Sequence, residues 1–274
     1  FSMEPLALKI GGLSDNYYRD LYYEFALNYA RTFGLHSVTG LALMNRQQKN
    51  VGTQFPFYNE ALVSRATYDY AHKYLLEINV SYTGSERFAP SNRFGLFPSG
   101  AIGWAVSEEK FFKNALPWVN KLKIRYSDGL TGSDYATNRW LYVSEYVRDL
   151  NGHITEDLLP NTGAQWEEAR KRDIGLELGI FNSFSLTLDL FDEKREKMLL
   201  TPQNVTMLVA SSFKELNLGK LKKHGIEIEA GYNKTNKNGL NYFVRGILGL
   251  NENRIIYKDD LIYAPDYTKA EGKP

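Results

Sequence analysis

Apolar residues recur at every second position over much of the chain. Over residues 21–31 the odd positions are Leu21, Tyr23, Phe25, Leu27 and Tyr29, while the even ones include Glu24, Ala26, Asn28 and Ala30. From 68 to 82 the even positions are Tyr68, Tyr70, His72, Tyr74, Leu76, Ile78, Val80 and Tyr82, set against Asp69, Lys73, Glu77, Asn79 and Ser81. A period of two marks a strand with one apolar side, and the second run predicts one strand of unusual length. The alternation returns at 122–126, 174–180, 184–190, 226–232 and 240–250, and more weakly at 35–46, 98–106 and 139–146. Asn182-Ser183 and residues 234–239 each join two matched runs, which predicts hairpins. Ser107-Glu108-Glu109, followed by Phe111, Phe112 and Leu116 and stopped at Pro117, predicts one short capped helix. Residues 166–172 carry good helix formers but are assigned to the start of a strand.

About ten antiparallel strands result, and their connections are sorted by length. Short ones lie near His36, at Asn182-Ser183 and at 234–239; long ones are 47–64, 84–97, 151–164, 198–223 and the tail from Asn251. Short turns at one end and long loops at the other is the asymmetry of outer-membrane barrels. A soluble β-sandwich or jelly roll also alternates, so a soluble carbohydrate-binding sandwich stays open as the alternative. Strand length, loop sorting and aromatic content favour an all-β, antiparallel transmembrane β-barrel. Aromatics are 14% of the 274 residues, half of them Tyr, and such rings gather at membrane interfaces; Trp104 and Trp118 are assigned there. No apolar run approaches the ~18–20 residues of a membrane helix. A 22-strand ring would leave about 12 residues for each strand and its connection. The chain therefore reads either as a small barrel or as about ten strands of a larger wall, and Phe1-Ser2-Met3 suggests an internal piece or a processed product.

Charge and reactive side chains narrow the function. A formal net charge of +1 gives no electrostatic case for nucleic acid. With no cysteine, disulfides, thiolate metal sites and Cys nucleophiles are excluded. Glu167/Glu168 are adjacent on a strand and point to opposite faces, and Glu108/Glu109 sit at the start of the expected helix, so neither pair reads as a catalytic dyad. His36, His72, His153 and His224 lack metal-ligand spacing; Asp259-Asp260 and Ser133-Asp134 lack the spacing of a calcium loop. No cofactor, metal site or catalytic residue is expected. Residues 129–133 lack the Lys and following helix of a phosphate loop. Asn79 and Asn204 sit in glycosylation-type triplets that carry no weight in a bacterial barrel. Two weaker signals remain. Tyr135, Trp140 and Tyr142 are candidates for stacking on a substrate such as a sugar ring, with an interfacial girdle as the plainer reading. The basic run Lys220-Leu221-Lys222-Lys223-His224 suits lipopolysaccharide phosphates, with a solvated loop base as the plainer reading.

One stretch carries a family resemblance. Residues 87–109, with Phe88-Ala89-Pro90, Asn92-Arg93-Phe94-Gly95-Leu96-Phe97-Pro98 and Gly103-Trp104-Ala105, resemble the SusC/RagA group of TonB-linked outer-membrane transporters of Bacteroidetes. Trp118-Val119-Asn120-Lys121, Trp166-Glu167, Ile174-Gly175-Leu176-Glu177, Asp189-Leu190-Phe191 and Gly225-Ile226-Glu227-Ile228 follow in the family's order. The match covers about residues 68–232. One departure is Ser127-Asp128-Gly129, where the family usually ends the strand Ser-Tyr-Gly. The resemblance implies import of bulky nutrients, glycans or peptides, through a 22-stranded type of barrel. It also implies a SusD-like surface lipoprotein over the long loops, TonB acting through a plug, and outer-membrane lipid around the wall. Nothing in the sequence resembles the plug, so residues 1–274 are expected to form a single barrel segment completed by the rest of the same barrel. A different outer-membrane receptor or a porin is the alternative within the membrane class.

Overall fold

The computed structural model describes residues 18–52, 55–148, 151–205, 211–236 and 238–274. Its strands are β1 (Tyr18–Phe33), β2 (His36–Val51), β3 (Phe57–Tyr70), β4 (Tyr74–Ser85), β5 (Phe94–Ala105), β6 (Val119–Ser133), β7 (Glu145–Arg148), β8 (Ile154–Leu159), β9 (Glu167–Ile180), β10 (Phe184–Leu200), β11 (Ser212–Phe213), β12 (Leu216–Thr235) and β13 (Asn241–Tyr257). A 3-10 turn (Val106–Glu108) and helix α1 (Lys110–Ala115) separate β5 from β6. Ten strands form one antiparallel sheet in the order β1-β2-β3-β4-β5-β6-β9-β10-β12-β13; β7, β8 and β11 make a small second sheet. The main sheet is a meander in which strands adjacent in sequence are adjacent in space, save for the loop strands that are skipped.

Register turns the alternation of each strand into rows. Val38, Tyr68, Leu76, Ile102, Tyr126, Ile174, Leu190, Ile226 and Leu250 are directly opposite one another across nine strands. Most of these side chains are exposed on the sheet surface rather than packed under a second layer. A soluble sandwich would bury them against another sheet. The opposite face is polar and ion-paired. Arg65 meets Glu77 at 2.9 Å, and Arg125 meets Asp173, Glu177 and Asp189. Arg125 reaches Asp189, two strands away, because Gly175 stands between them; a Cβ there would collide with both side chains.

Aromatic side chains bound the apolar face at each end. Phe94 stacks on Tyr82 (ring centroids 4.9 Å), and Trp104 ends the same strand. Ten residues on a strand cover about 33 Å at ~3.3 Å each, and a tilt of ~40° brings the height to about 25 Å, the apolar band of an outer-membrane barrel. Trp104 and Trp118 lie at the short-turn end, the latter against Phe181 at 5.7 Å.

Several sequence expectations change. The run 68–82 is two strands, not one: β3 turns at Ala71 and His72, both at positive φ, and returns as β4 with Tyr70 opposite Tyr74. Three intervening residues preserve the even-odd phase through the hairpin, so the sequence reads as continuous. The turn after Ile180 uses the same device, with Phe181 and Asn182 at positive φ. By contrast, the turn at Gly34-Leu35 has two residues, and the apolar side passes from odd positions in β1 to even positions in β2. Residues 139–146 are mostly loop, with β7 starting only at Glu145. The strands also extend well into the segments expected to be loops at 47–64, 84–97 and 198–223. Beyond the apolar band both faces are polar, so period-two contrast fades while backbone pairing continues. Helix α1 has no side-chain cap; the Glu109 carboxylate is taken by Lys73 and Tyr74 (2.7 and 2.8 Å).

Ile102→Arg places a charge mid-band on the apolar face and is expected to cost about 2–4 kcal/mol, seen as loss of heat-modifiable, folded barrel in outer-membrane fractions. Thr67→Arg, on the polar face two strands away, is expected to leave the folded fraction near wild type.

Candidate functional site

At the long-loop end the connections fold onto one another. Phe88, Phe97, Ala136, Leu141, Ala164 and Trp166 form a small core there, flanked by Leu130 and Leu199. Phe97 comes from the polar face of β5, and Gly132 has no side chain because the Phe97 ring occupies that space. Trp166 packs on Phe88 and Phe97 (5.3 and 5.4 Å between centroids) and donates its indole N–H to the Arg93 carbonyl at 3.0 Å.

Buried charges tie the loops together. Lys214 is 1% exposed; its Nζ meets Glu145 at 2.7 Å and donates to the Trp140 carbonyl at 2.8 Å. The Glu215 carboxylate accepts from Thr137 N, Asn138 N and Asn138 Nδ2 at 2.8, 3.3 and 2.9 Å, and its carbonyl accepts from Asn161 Nδ2. Burial pushes the Glu215 carboxyl upward, but the hydrogen bonds from Asn138 and from the backbone outweigh it and hold the group below its ordinary value of 4.5. Arg87 donates to the Ala136 and Asn138 carbonyls, and Ser85 Oγ to Asp134 at 2.6 Å. Further out, Asp259 accepts from Gln203 N, Asn204 N and Asn204 Nδ2, while Asp260 accepts from Ala270 N and Glu271 N. These two carboxylates serve as loop anchors.

The three aromatic candidates separate. Trp140 sits in a patch with Phe55 (centroids 6.0 Å) and Arg139, whose guanidinium lies 4.4 Å over its ring. Arg139 and Arg87 both approach the Phe57 ring at 5.6 Å, and Arg139 donates to the Pro56 carbonyl. Tyr135 is 80% exposed and Tyr142 is half-buried. Among the described residues neither makes a ring contact with this patch. The patch is an arginine-aromatic surface of the kind that stacks on planar or ring-shaped ligands. The sequence reading missed Phe55, Phe57, Arg87 and Arg139. The only local sign was Arg139 beside Trp140, and the other partners come from two different connections.

With this geometry in place, comparison with known proteins is decisive. A family model described as TonB dependent receptor-like, beta-barrel matches residues 7–274. The chain belongs to that family. It is 31% identical over 175 residues to the TonB-dependent receptor P3 of Formosa agariphila, covering 61% of this chain and 17% of that protein. To the TonB-dependent receptor SusC of Bacteroides thetaiotaomicron it is 28% identical over 177 residues, 60% of this chain and 17% of that one. A solved structure of the RagAB peptide importer in its closed-closed state shares the fold with a TM-score of 0.78 at 17% identity, covering 94% of this chain and 33% of that chain. The chain thus spans about a sixth of the curated relatives' length. Its sheet is wall from an outer-membrane β-barrel of Gram-negative type, and its family consists of transporters and receptors.

Glu215→Gln is expected to loosen the loop layer by about 1–3 kcal/mol, the cost of an impaired buried hydrogen-bond set, read as faster protease cleavage within 134–148 in outer-membrane vesicles. Because the folded carboxyl titrates below 4.5, its stabilising contribution is complete above that pH and is lost as pH falls through the lower folded value. Hydrogen exchange in 134–148 should therefore stay slow down to about pH 4.5 and accelerate below it in the wild type; in the Gln variant this acid-dependent acceleration should be much reduced.

Proposed function

We propose that residues 1–274 form one segment of the barrel of an energy-coupled importer of bulky nutrients, glycans or peptides. Further strands of the same barrel and a plug complete it, TonB drives it through that plug, and a SusD-like surface lipoprotein covers the loop end. The supporting observation is the match of the barrel-family model over nearly the whole chain, joined to likeness to SusC and to the RagAB peptide importer. The loop layer gives the reading its working surface. Its buried core and ion pairs hold the Trp140 patch rigidly at the mouth, which lowers the ordering cost of binding. The hairpin of β7 and β8 exposes Tyr146, Val147 and Ile154, an apolar tip that suits the underside of a lid. The apolar face of the wall meets outer-membrane lipid, including lipopolysaccharide.

Deletion of the gene in the native host is expected to abolish growth on the cognate oligosaccharide or peptide mixture, and a protonophore is expected to stop uptake by the intact strain. Uptake that continues in the protonophore would replace this reading with a passive porin. Affinity purification from detergent extracts is expected to bring down a surface lipoprotein with the barrel. Trp140→Ala is expected to lower uptake of limiting substrate by about 2- to 10-fold, the worth of one aromatic contact, with Tyr135→Ala having a smaller effect.

A further inference from the structure

The register that builds the apolar band also sorts charge just above it. On the same face as Ile174, Leu190, Ile226 and Leu250, two residues further towards the loops, stand Arg172, Asp192, His224 and Glu252. Two residues beyond these, Arg170, Lys194, Lys222 and Arg254 lie directly opposite one another on β9, β10, β12 and β13. Four cations thus share one row, with neighbouring strands about 4.8 Å apart. Like charges directly opposite destabilise a sheet, so this row costs the fold something unless an anion lies along it.

The protein neutralises only part of the row. Asp128 takes Arg170 (2.8 Å) and Arg172 (3.2 Å), and Lys222 lies 3.7 Å from Asp192. Glu252 faces His224 at 3.9 Å, and Glu168, one row further out, binds Lys197; Glu196 is exposed beside it. Lys194 and Arg254 are exposed and have no acidic partner among the described residues. Four residues separate this row from the apolar row Ile174, Leu190, Ile226 and Leu250, about 13 Å along a strand at ~3.3 Å per residue, so on these four strands the cations lie on the loop side of the apolar positions and on the same face.

We propose that the row Arg170-Lys194-Lys222-Arg254 is a binding site for the phosphate of a phosphorylated glycolipid head group in the outer leaflet. It rests on the reading above only in that the apolar face meets lipid. Arginine and lysine hold phosphate through charge-assisted hydrogen bonds, and a lipid-borne phosphate is presented at this level by its own acyl anchor, so no pocket is needed. Lys223, next to Lys222 in sequence, belongs to the other face, over the Phe191 ring at 5.5 Å, and takes no part.

The test uses the complete receptor in nanodiscs, wild type against the Lys194→Gln/Arg254→Gln double variant. Native mass spectrometry in discs containing bisphosphorylated lipid A is expected to show tightly retained lipid on the wild type and at least 10-fold less on the variant. In discs of phosphatidylcholine alone the variant is expected to melt no lower than wild type, since removing two cations relieves the row. Equal lipid A retention by the two proteins would overturn the site. Inorganic phosphate at millimolar concentration raising the wild-type melting point in phosphatidylcholine as far as lipid A does would overturn the lipid source in favour of a free anion. Heat-modifiability checks the membrane reading separately: a variant that stays heat-modifiable and loses lipid A supports the site, whereas a wild type that is not heat-modifiable would refute the underlying barrel instead.

Discussion

The backbone ladder is the constraint from which the other features follow. In hydrocarbon an unpaired amide or carbonyl costs several kcal/mol because no water can replace its partner. Each strand is therefore held to its neighbour in an antiparallel register that shifts only near strand ends, at 119–121, 195–199 and 220–221. Once register is fixed, parity is fixed, since a slip of one residue would turn every side chain to the other face. The nine-position apolar row from Val38 to Leu250 is the visible product.

The two ends of the wall answer this constraint differently. At the turn end the connections include hairpins whose loop residues at positive φ, Ala71-His72 and Phe181-Asn182, close the strands within a few residues. At the other end the ladder outruns the apolar band, and the loops acquire a core of their own around Phe88, Leu141 and Trp166. Buried Lys214 and Glu215 belong to that layer. Each is expensive alone and is engaged here by partners from the connection between β6 and β9, so one arrangement of these two loops is selected. The result is a preformed loop layer that carries Trp140 and Arg139.

Much of the wall was legible in the sequence because alternation reports a face directly: β1, β9, β10, β12 and β13 were recognisable from their own residues. The hairpin at 71–73 was not, because three loop residues keep the apolar phase and Tyr68 to Tyr82 reads without a break. Strand ends above the band were also hidden, since both faces there meet water and the contrast vanishes. At the mouth, Trp140 drew notice by type alone, whereas its partners Phe55, Phe57 and Arg87 are brought to it by strand order. The cationic row shows the same limit more sharply. Lys222 and Arg170 each lie in a short basic run, but with Lys194 and Arg254 they are far apart in sequence and meet through register.

Residues 1–274 hold no cysteine, so each cysteine introduced here is unique within this segment and makes the face assignment directly measurable once any cysteine elsewhere in the receptor is replaced. Nitroxide labels placed one at a time from position 62 through 82 in the native outer membrane would be probed with oxygen, which concentrates in hydrocarbon, and with a water-soluble nickel chelate. Oxygen should reach the labels at even positions in the band on both sides of the 71–73 turn, with no change of phase across it, while odd positions favour the chelate. Labels along β1 should show the inverse parity. Even positions that respond chiefly to the chelate, or a scan without period two, would contradict a lipid-facing wall.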